Sequence, residues 1–349
     1  MAFFGVTIEE LEWVKPHPNP IVERLEIAQC KDLGFTFCIG KGQHKAGDKV
    51  LYFPIDSLIP PEVLQKMGLE GKLSGKLKNR VRTKTLQGYP SQGIIASLSL
   101  IDGLEDKTPE KITEFLGVTK YEAPEVMDPC GRLLLLPNFV SKYDIEGIDR
   151  NLVVFERLLE MQTYITEKIE GSHMSVSHDF TTNTSYVNQR NFTIVEIEAK
   201  EHTFWKVARK LNLFEKIKRI GDYLDVKSNI TLCGEMIGPG IQSNIYKLNE
   251  HKMIAFDIKV DGKWINAKNF VEICKGHNIE SVPVLGFDVK LKDWLNGKSV
   301  KEASNGESKL FKTLREGIVI KPMIEEFCPE LSSRLFLKQR DPIYLANES

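Results

Sequence analysis

Lys168 is the residue whose neighbours most clearly suggest chemistry. It ends an apolar, β-favouring run that begins at Tyr164, and Glu170 and Gly171 follow it. A lysine amine can attack phosphorus and form a phosphoramide once nearby cations, a metal or desolvation lower its pKa from about 10.4. The pattern of strand, lysine, two residues and glycine therefore predicts a nucleophile that carries a nucleotide. The alternative is a surface lysine in a turn.

Taken alone, the Lys-x-x-Gly pattern is a weak signal, because other lysines share it. These are Lys31, Lys72 and Lys259. The last of them precedes Asp261-Gly262, a strong hairpin signal, which places that lysine inside a strand ahead of the turn. Whether Lys168 is a nucleophile therefore depends on partner residues elsewhere in the chain.

The composition is that of a folded protein with substantial cores. The chain has 349 residues, of which 42% are hydrophobic and 27% charged, and this length suggests two domains. Its apolar stretches are too short to cross a bilayer, and Glu9 comes too early for a signal peptide. We therefore expect an intracellular protein, cytoplasmic or of unknown compartment, that is neither secreted nor membrane-bound. Six scattered cysteines predict reduced thiols, with neither disulfides nor structural zinc.

A local excess of positive charge lies in residues 41–90, although the whole chain has a net charge of only −1. Ten Lys and Arg stand there against four Asp and Glu. Basic side chains alternate with others from residue 76 to 84, which predicts one basic face of a strand that tracks phosphates. The alternative is a solvated edge strand defended by charge. The predicted nucleic-acid-binding residues are Lys76, Lys78, Arg80, Arg82 and Lys84.

Two patterns of elements divide the chain. Residues 1–100 consist of short β segments with Gly and Pro between them, which suggests a small barrel, and the common barrel that binds nucleic acid is the OB-fold. Residues 101–150 predict a connector, and longer mixed elements follow. The predicted strands are Phe35–Ile39, Lys49–Phe53, Gly93–Leu98, Met253–Val260, Gly317–Ile320 and Leu335–Leu337. The predicted helices are Pro61–Met67, Thr203–Leu211, Leu213–Ile220 and Ala267–Lys275.

Short polar segments follow Lys168 in a fixed order along the chain. They centre on Arg190, Glu235, Phe256, Glu316 and Lys338. This ordered series resembles the signatures of the covalent nucleotidyltransferase superfamily of ATP-dependent ligases and capping enzymes. The segments at 23–28, 41–48, 52–57, 82–88 and 91–93, together with the Gly-rich loop 238–244, resemble the fifth family of ATP-dependent RNA ligases.

The resemblance implies an α+β fold with two domains. An N-terminal β-barrel of the OB-fold type, residues 1–125, would bind nucleic acid, and residues 126–150 would be a linker. Residues 151–349 would form a mixed α/β nucleotidyltransferase domain with ATP-grasp-like antiparallel sheets.

The resemblance also assigns roles in catalysis. Lys168 would attack the α-phosphorus of ATP and become lysyl-AMP. Three basic residues would neutralise the phosphates, namely Lys338, Lys321 and Arg340. Glu170 and Glu316 would hold Mg²⁺ or Mn²⁺, since hard oxygen ligands suit these ions.

Recognition of the nucleotide is implied for a further group. Phe256 would stack on adenine, the alternative being an ordinary core phenylalanine, and Glu167 would read the adenine edge. The residues implied near the ribose and phosphates are Arg190, Asn191, Glu235 and Glu316. Gln242 and Asn244 of the Gly-rich loop either take part or serve only the turn.

The implied reaction is ATP-dependent sealing of a 3′-OH/5′-phosphate nick in RNA, as in RNA repair. It would pass through lysyl-AMP and an adenylated 5′ end. The expected partner is a nicked RNA duplex or RNA/DNA hybrid, with no obligate protein partner, and the protein would be a monomer. Two alternatives stay open: a DNA-sealing or capping-type covalent nucleotidyltransferase, and an inactive nucleic-acid-binding homologue.

Overall fold

The structure, a computed structural model, describes residues 3–122, 131–196 and 201–347. The chain divides into two compact units. Unit 1 comprises Met1–Pro124, Glu146–Glu156 and Arg340–Ser349, and unit 2 comprises Glu125–Ile145 and Arg157–Gln339. The predicted domain boundaries stay a prediction, and residues 126–130 of the predicted linker lie outside the described residues.

Residues 3–122 are built from short strands. These are β1 (Thr7–Pro16), β2 (Leu25–Cys30), β3 (Thr36–Gly40), β4 (Lys49–Phe53), β5 (Ser57–Leu58), β6 (Lys84–Leu86), β7 (Tyr89–Ser91), β8 (Ile94–Ala96) and β9 (Thr119–Lys120). Two short helices accompany them, α1 (Pro61–Lys66) and α2 (Pro109–Phe115). Five of the strands form an antiparallel, barrel-like sheet in the order β3-β2-β1-β4-β8.

Strand β4 shows why this sheet is buried on both faces. Its first residue, Lys49, is exposed and the next four are buried. Successive side chains of a strand point to opposite faces. Accordingly Leu51 and Phe53 enter one core cluster, whereas Val50 and Tyr52 enter another. The β-rich barrel predicted for this part of the chain is therefore confirmed in its coarse form, and its assignment as an OB-fold stays a prediction.

The basic strand predicted at residues 76–84 is wrong. Only Lys84 lies in a strand, the first residue of β6. The chain turns between Ser74 and Arg80, which pair across an isolated bridge, and Lys78 adopts a left-handed φ of 54°. Such a backbone cannot alternate side chains on one face, so the basic residues surround a turn.

The other two described stretches contain longer elements. Residues 131–196 form β10 (Gly131–Leu135), β11 (Glu146–Gly147), α3 (Leu152–Leu159), β12 (Gln162–Lys168), β13 (Ser172–Asp179), β14 (Thr184–Asn188) and β15 (Phe192–Glu196). Residues 201–347 form α4 (Thr203–Lys210), α5 (Leu213–Leu224), β16 (Asn229–Ile237), β17 (Lys252–Val260), β18 (Lys263–Trp264), α6 (Ala267–Gly276), β19 (Val284–Lys290), α7 (Leu291–Leu295), α8 (Val300–Ser304), β20 (Gly317–Pro322), β21 (Phe327–Cys328), β22 (Ser333–Arg334), β23 (Leu337–Arg340) and α9 (Pro342–Asn347).

Unit 2 is organised around a seven-stranded sheet in the order β10-β15-β14-β13-β16-β17-β18. One face packs against α4, α5 and α6 in a large apolar core, to which β13 contributes Met174 and Val176. Because side chains alternate along a strand, His173 and Ser175 point to the other face. That second face carries the polar residues described below.

A second sheet of unit 2 contains neighbouring strands in the order β23-β20-β12-β19. Strand β12 lies antiparallel to β20, so that Lys168 is opposite Gly317. The last predicted strand, Leu335–Leu337, is found two residues later at Leu337–Arg340, because the amide of Leu335 bonds instead to the carbonyl of Glu326. The hairpin turn at Asp261-Gly262 is confirmed.

The state of the cysteines and the character of the helices can be stated for the described residues. The described cysteines, Cys30, Cys38, Cys233, Cys274 and Cys328, are free thiols, and Cys130 lies outside the described residues. No helix in the described ranges is both long and apolar enough to cross a membrane.

Candidate active site

Lys168 and Glu316 meet across two paired strands. Lys168 is the last residue of β12, and Glu316 immediately precedes β20. The Nζ atom of Lys168 lies 2.8 Å from Oε2 of Glu316, and the two side chains are only 22% and 7% exposed. The antiparallel register brings this pair together, because it sets Lys168 opposite Gly317.

Gly171 is required by a close approach of the chain to β16. A Cβ atom at this position would lie 2.5 Å from the carbonyl oxygen of Met236 and 2.7 Å from Cγ of Glu235. No side chain fits so near a backbone oxygen. The glycine of the Lys-x-x-Gly pattern therefore lets the turn after Lys168 lie directly against the strand that carries Glu235.

Glu235 belongs to the same charged group. It faces His173 across the β13–β16 pair. Burial raises the pKa of Glu235 to about 8; the charges of Lys168 and Arg190 act to lower it, and Glu316 acts to raise it further. The structure thus brings together Lys168, Glu235, Glu316 and Arg190, four residues that sequence analysis placed at one site.

Glu167 and Glu170, on either side of Lys168, are both held by backbone amides. The amide of Lys309 donates to Oε2 of Glu167 at 2.9 Å, and the amide of Ser243 donates to Oε1 of Glu170 at 2.9 Å. Glu167 is 1% exposed, and within the described residues its other oxygen, Oε1, has no hydrogen-bond partner. That buried acceptor is suited to a donor on a bound molecule, because an unpaired buried acceptor is costly.

In the Gly-rich loop, the side chain of Asn244 stabilises the loop itself. The side chain of Asn244 donates to the carbonyl of Leu248 at 3.0 Å and accepts from the amide of Leu248 at 3.2 Å. Asn244 is also left-handed, with a φ of 45°, as is Gln242 at 47°. Turn chemistry therefore accounts for Asn244.

Phe256 occupies a bulge and lies among aromatic rings. Cys233 pairs with Asp257 and Gly234 pairs with Ala255, so Phe256 is the extra residue of β17. Its ring centroid is 4.6 Å from that of Tyr143 and 5.8 Å from that of His173. Bulges re-aim side chains next to functional sites, which fits a ring exposed to a ligand.

Asp257 is a buried carboxylate with three donors on one oxygen. Its Oδ2 accepts from the hydroxyl of Tyr143 at 2.7 Å, from Arg334 at 2.8 Å and from Lys321 at 3.1 Å. Burial alone would raise the pKa of Asp257, but the charges of Lys321 and Arg334 outweigh it and hold the pKa below its usual value. Lys321, predicted to contact phosphate, is 4% exposed and is bound to Asp257 in this structure.

Several of these residues were missed by sequence analysis. Asp257 carried a usable signal, since a carboxylate inside an otherwise apolar strand needs a partner. Tyr143 and Arg334 carried none, because their partner lies 114 and 77 residues away in sequence. Asp144 was also missed, and its carboxylate forms an ion pair with Arg190.

The remaining predicted site residues are half-buried. Asn191 follows Arg190 directly, and Lys338 and Arg340 stand two residues apart in β23. With these, every predicted residue of the transferase region lies among the described residues.

The acids near Lys168 fit a divalent cation in chemistry. Carboxylate oxygens are donors that Mg²⁺ and Mn²⁺ accept readily. Glu316 supplies such oxygens beside Lys168, whereas Glu170 has one oxygen occupied by the amide of Ser243. Among residues 3–122, 131–196 and 201–347, no group of three or more His, Cys, Asp and Glu could hold a metal alone. Substrate phosphates and water would therefore complete the coordination.

The basic residues of unit 1 border a cavity of about 830 Å³. Its basic lining residues include Lys66, Lys72, Arg80, Arg82 and Lys84. Arg80 is occupied structurally, since it bonds to Asp56 at 2.7 Å and lies 3.5 Å over the ring of Tyr121. Lys76 and Lys78 are exposed on the neighbouring turn.

Comparisons with known proteins relate the chain to RNA ligases. Residues 161–338 match the family model described as RNA ligase. A solved structure of Naegleria gruberi RNA ligase with PPi superposes with a TM-score of 0.80 at 26% identity, covering 99% of both chains. Two variants of that ligase, each with ATP and Mn, give TM-scores of 0.79 and 0.80 at 26% identity, covering 98% of both chains. A search of curated proteins gave no match. The matched residues make up half of the chain's length and include Lys168, Glu235 and Glu316. The chain therefore belongs to the RNA ligase family.

Proposed function

We propose that the protein is an ATP-dependent RNA ligase that acts through lysyl-AMP. The observation that carries the proposal is the contact between Lys168 and Glu316 at 2.8 Å, with Glu235 and Arg190 beside it. A chain that had lost its activity would be expected to have lost a member of this group. A variant of the related Naegleria gruberi ligase was solved with ATP and Mn, which supports ATP as the substrate and a divalent cation as the cofactor.

The first step makes the covalent intermediate. The amine of Lys168 attacks the α-phosphorus of ATP, a P–N bond forms, and the P–O bond to pyrophosphate breaks. The amine must be neutral, so its proton leaves and its ion pair with Glu316 must open before attack. Lys338 and Lys321 would offset the negative charge that builds on the phosphates.

The nucleotide would be held by the residues around this lysine. Phe256 offers a ring for the base. Oε1 of Glu167, which has no hydrogen-bond partner within the described part of the chain, offers an acceptor for the 6-amino group of adenine. Glu235, with its pKa near 8, retains a proton at neutral pH and so can donate to a ribose oxygen as well as accept. A divalent cation, when bound, would neutralise phosphate charge, and Glu316 and Glu170 would hold it.

Two further steps would join the strands. AMP passes from Lys168 to a 5′-phosphate, forming a pyrophosphate linkage and freeing the amine. A 3′-hydroxyl then attacks that 5′-phosphate, which forms the phosphodiester bond and releases AMP. The basic residues of unit 1, read as part of an OB-fold of the fifth RNA ligase family, would bind the strand by phosphate contacts.

A labelling experiment tests the covalent step. Incubation with α-labelled ATP and Mg²⁺ or Mn²⁺ should give an acid-stable labelled protein, and Lys168→Ala should give none. Lys168→Arg keeps the positive charge and is the matched control; it should also stay unlabelled. Label on the Lys168→Ala variant, or none on the native protein, would refute the mechanism.

A second experiment tests the nucleic acid. Matched nicked duplexes with RNA or DNA on each side of the break should be sealed best when the 3′-OH strand is RNA. Equal sealing of an all-DNA nick would favour a DNA ligase, and labelling by GTP in preference to ATP would favour a capping-type enzyme.

A further inference from the structure

The carboxylate of Asp144 is paired with the guanidinium of Arg190. The ion pair involves one terminal nitrogen of the guanidinium. Arginine binds carboxylates and phosphates through the same planar donors. The charge of Arg190 also reaches Glu235 and His173. It acts against the burial that raises the pKa of Glu235, and it adds to the burial that lowers the pKa of His173. Asp144 is therefore paired with a cation whose charge acts on the site around Lys168.

The segment that carries Asp144 is anchored at two residues that closely precede it. Lys259 donates to the hydroxyl of Ser141 at 2.6 Å, and the hydroxyl of Tyr143 donates to Asp257 at 2.7 Å. Residues 141–143 thus lie against β17, although sequence analysis placed them in a linker. Because the backbone is fixed next to Asp144, its carboxylate is presented to Arg190 at little cost in entropy.

The ion pair itself can be displaced easily. The side chain of Arg190 is 59% exposed and that of Asp144 is 31% exposed. Exposed pairs of this kind contribute little to stability and are screened by salt. A terminal phosphate, which carries more charge than a carboxylate, can therefore replace Asp144 on Arg190 without unfolding the chain.

We propose that Asp144 is an internal substitute for a substrate phosphate at Arg190 and thereby sets the affinity of the site for that phosphate. The proposal rests on the ligase function proposed above. Two sources share this chemistry, the phosphates of ATP and the 5′-phosphate of the RNA strand. Asp144 competes with whichever of them Arg190 binds, and its removal should strengthen binding.

The test measures two Michaelis constants in the full-length protein. One is the KM for ATP in lysine labelling, and the other is the KM for a 5′-phosphorylated nicked RNA in AMP transfer from pre-labelled enzyme. Asp144→Asn should lower one of them by about two- to five-fold, the range expected when an exposed ion pair is removed. Arg190→Ala should raise the same constant, and the double variant should behave as Arg190→Ala does.

Asp225→Asn is the matched control, because Asp225 forms an exposed ion pair with Lys227 and its loss changes the net charge equally. It should change neither constant. The benefit of Asp144→Asn should also shrink at high salt. A rise in KM in Asp144→Asn would show that Asp144 positions Arg190, and unchanged constants would show an idle surface pair; either result overturns the proposal. A native protein that is never labelled would refute the ligase function instead.

Discussion

The Nζ atom of Lys168 lies 2.8 Å from a carboxylate oxygen of Glu316, in a largely buried pair. An ion pair joins a carboxylate to a protonated amine, and a protonated amine has no lone pair with which to attack phosphorus. Glu316 therefore cannot stay paired with Lys168 while the amine of Lys168 acts as the proposed nucleophile. Under the proposed mechanism this is a resting arrangement, and Glu316 would have to leave Lys168 before the amine attacks ATP.

Gly171→Ala should disturb both stability and labelling. The added Cβ would lie 2.5 Å from the carbonyl oxygen of Met236, a backbone atom that cannot move away cheaply. We expect a loss of about 1–3 kcal/mol in unfolding free energy, measured by urea titration, and slower labelling of Lys168. Gly276→Ala is the control, since nothing lies within 4 Å of a Cβ there. It ends a helix and should be neutral or slightly stabilising. Equal behaviour of the two variants would contradict the close approach.

Glu235→Gln should stabilise the protein at alkaline pH while weakening its activity. The folded-state pKa of Glu235, about 8, lies above the ordinary value of 4.5, so its contribution to stability is lost as pH rises from about 4.5 to 8. Glutamine does not ionise and escapes this loss. Thermal unfolding should show the variant more stable by about 1–3 kcal/mol at pH 8 and little changed near pH 4.5. Labelling should fall about tenfold if Glu235 contacts the nucleotide. An unchanged pH profile would argue against the buried carboxyl.

Asp257→Asn should be strongly destabilising. The substitution keeps the shape but leaves the buried Lys321 and Arg334 without their shared carboxylate. Breaking a buried ion pair in this way costs about 3–5 kcal/mol, which denaturant unfolding would detect. Glu160→Gln removes an exposed partner of Lys290 and should cost less than about 1 kcal/mol. A small effect at Asp257 would mean that water reaches the cluster.

Glu167→Gln should reduce the preference for ATP over GTP. In the native protein Oε2 accepts from the amide of Lys309, and Oε1 is a buried acceptor that has no partner among the described residues. A glutamine oxygen would keep the amide bond, which turns its NH₂ group towards the place of Oε1. That donor suits the O6 acceptor of guanine rather than the 6-amino group of adenine. The ratio of labelling efficiencies with ATP and GTP measures the change, and an unchanged ratio would place the adenine edge elsewhere.

Arg80→Ala and Lys76→Ala should separate structure from RNA binding in unit 1. Arg80 bonds to Asp56 and lies over Tyr121, so its loss should cost about 1–2 kcal/mol of stability. Lys76 is exposed, so its loss should leave stability unchanged, weaken RNA binding and lower the salt slope by about one. Binding measured at several salt concentrations decides between them. If both variants lose stability and neither binds RNA more weakly, this turn is not part of the RNA-binding surface.

Features that depend on residues close together in the sequence were predicted better than contacts between distant residues. The hairpin at Asp261-Gly262 depends on two adjacent residues, and it was predicted correctly. The meeting of Lys168 and Glu316 was predictable only because the order of segments resembles a known family. The basic strand failed because a left-handed Lys78 turns the chain where alternation suggested extension.

Contacts between distant segments left little trace in the sequence. Tyr143 appeared to be part of a linker, since nothing near it in the chain indicates a partner 114 residues away. Lys321 appeared to be free for phosphate, because its partner is set by how β17 and β20 come together in the folded unit. Pairings of this kind depend on tertiary structure, which local propensity does not encode.

The three bonds on one oxygen of Asp257 also bear on how the site forms. They close loops of 64, 77 and 114 residues, to Lys321, Arg334 and Tyr143 respectively. Closing loops of this length costs chain entropy, and this loss is offset only when further contacts form. Contacts between residues far apart in the sequence also slow folding. We therefore expect the contacts of Asp257 with Lys321, Arg334 and Tyr143 to form late in folding. Under the proposed mechanism, labelling of Lys168 would then require the folded unit and not only the segment that carries the lysine.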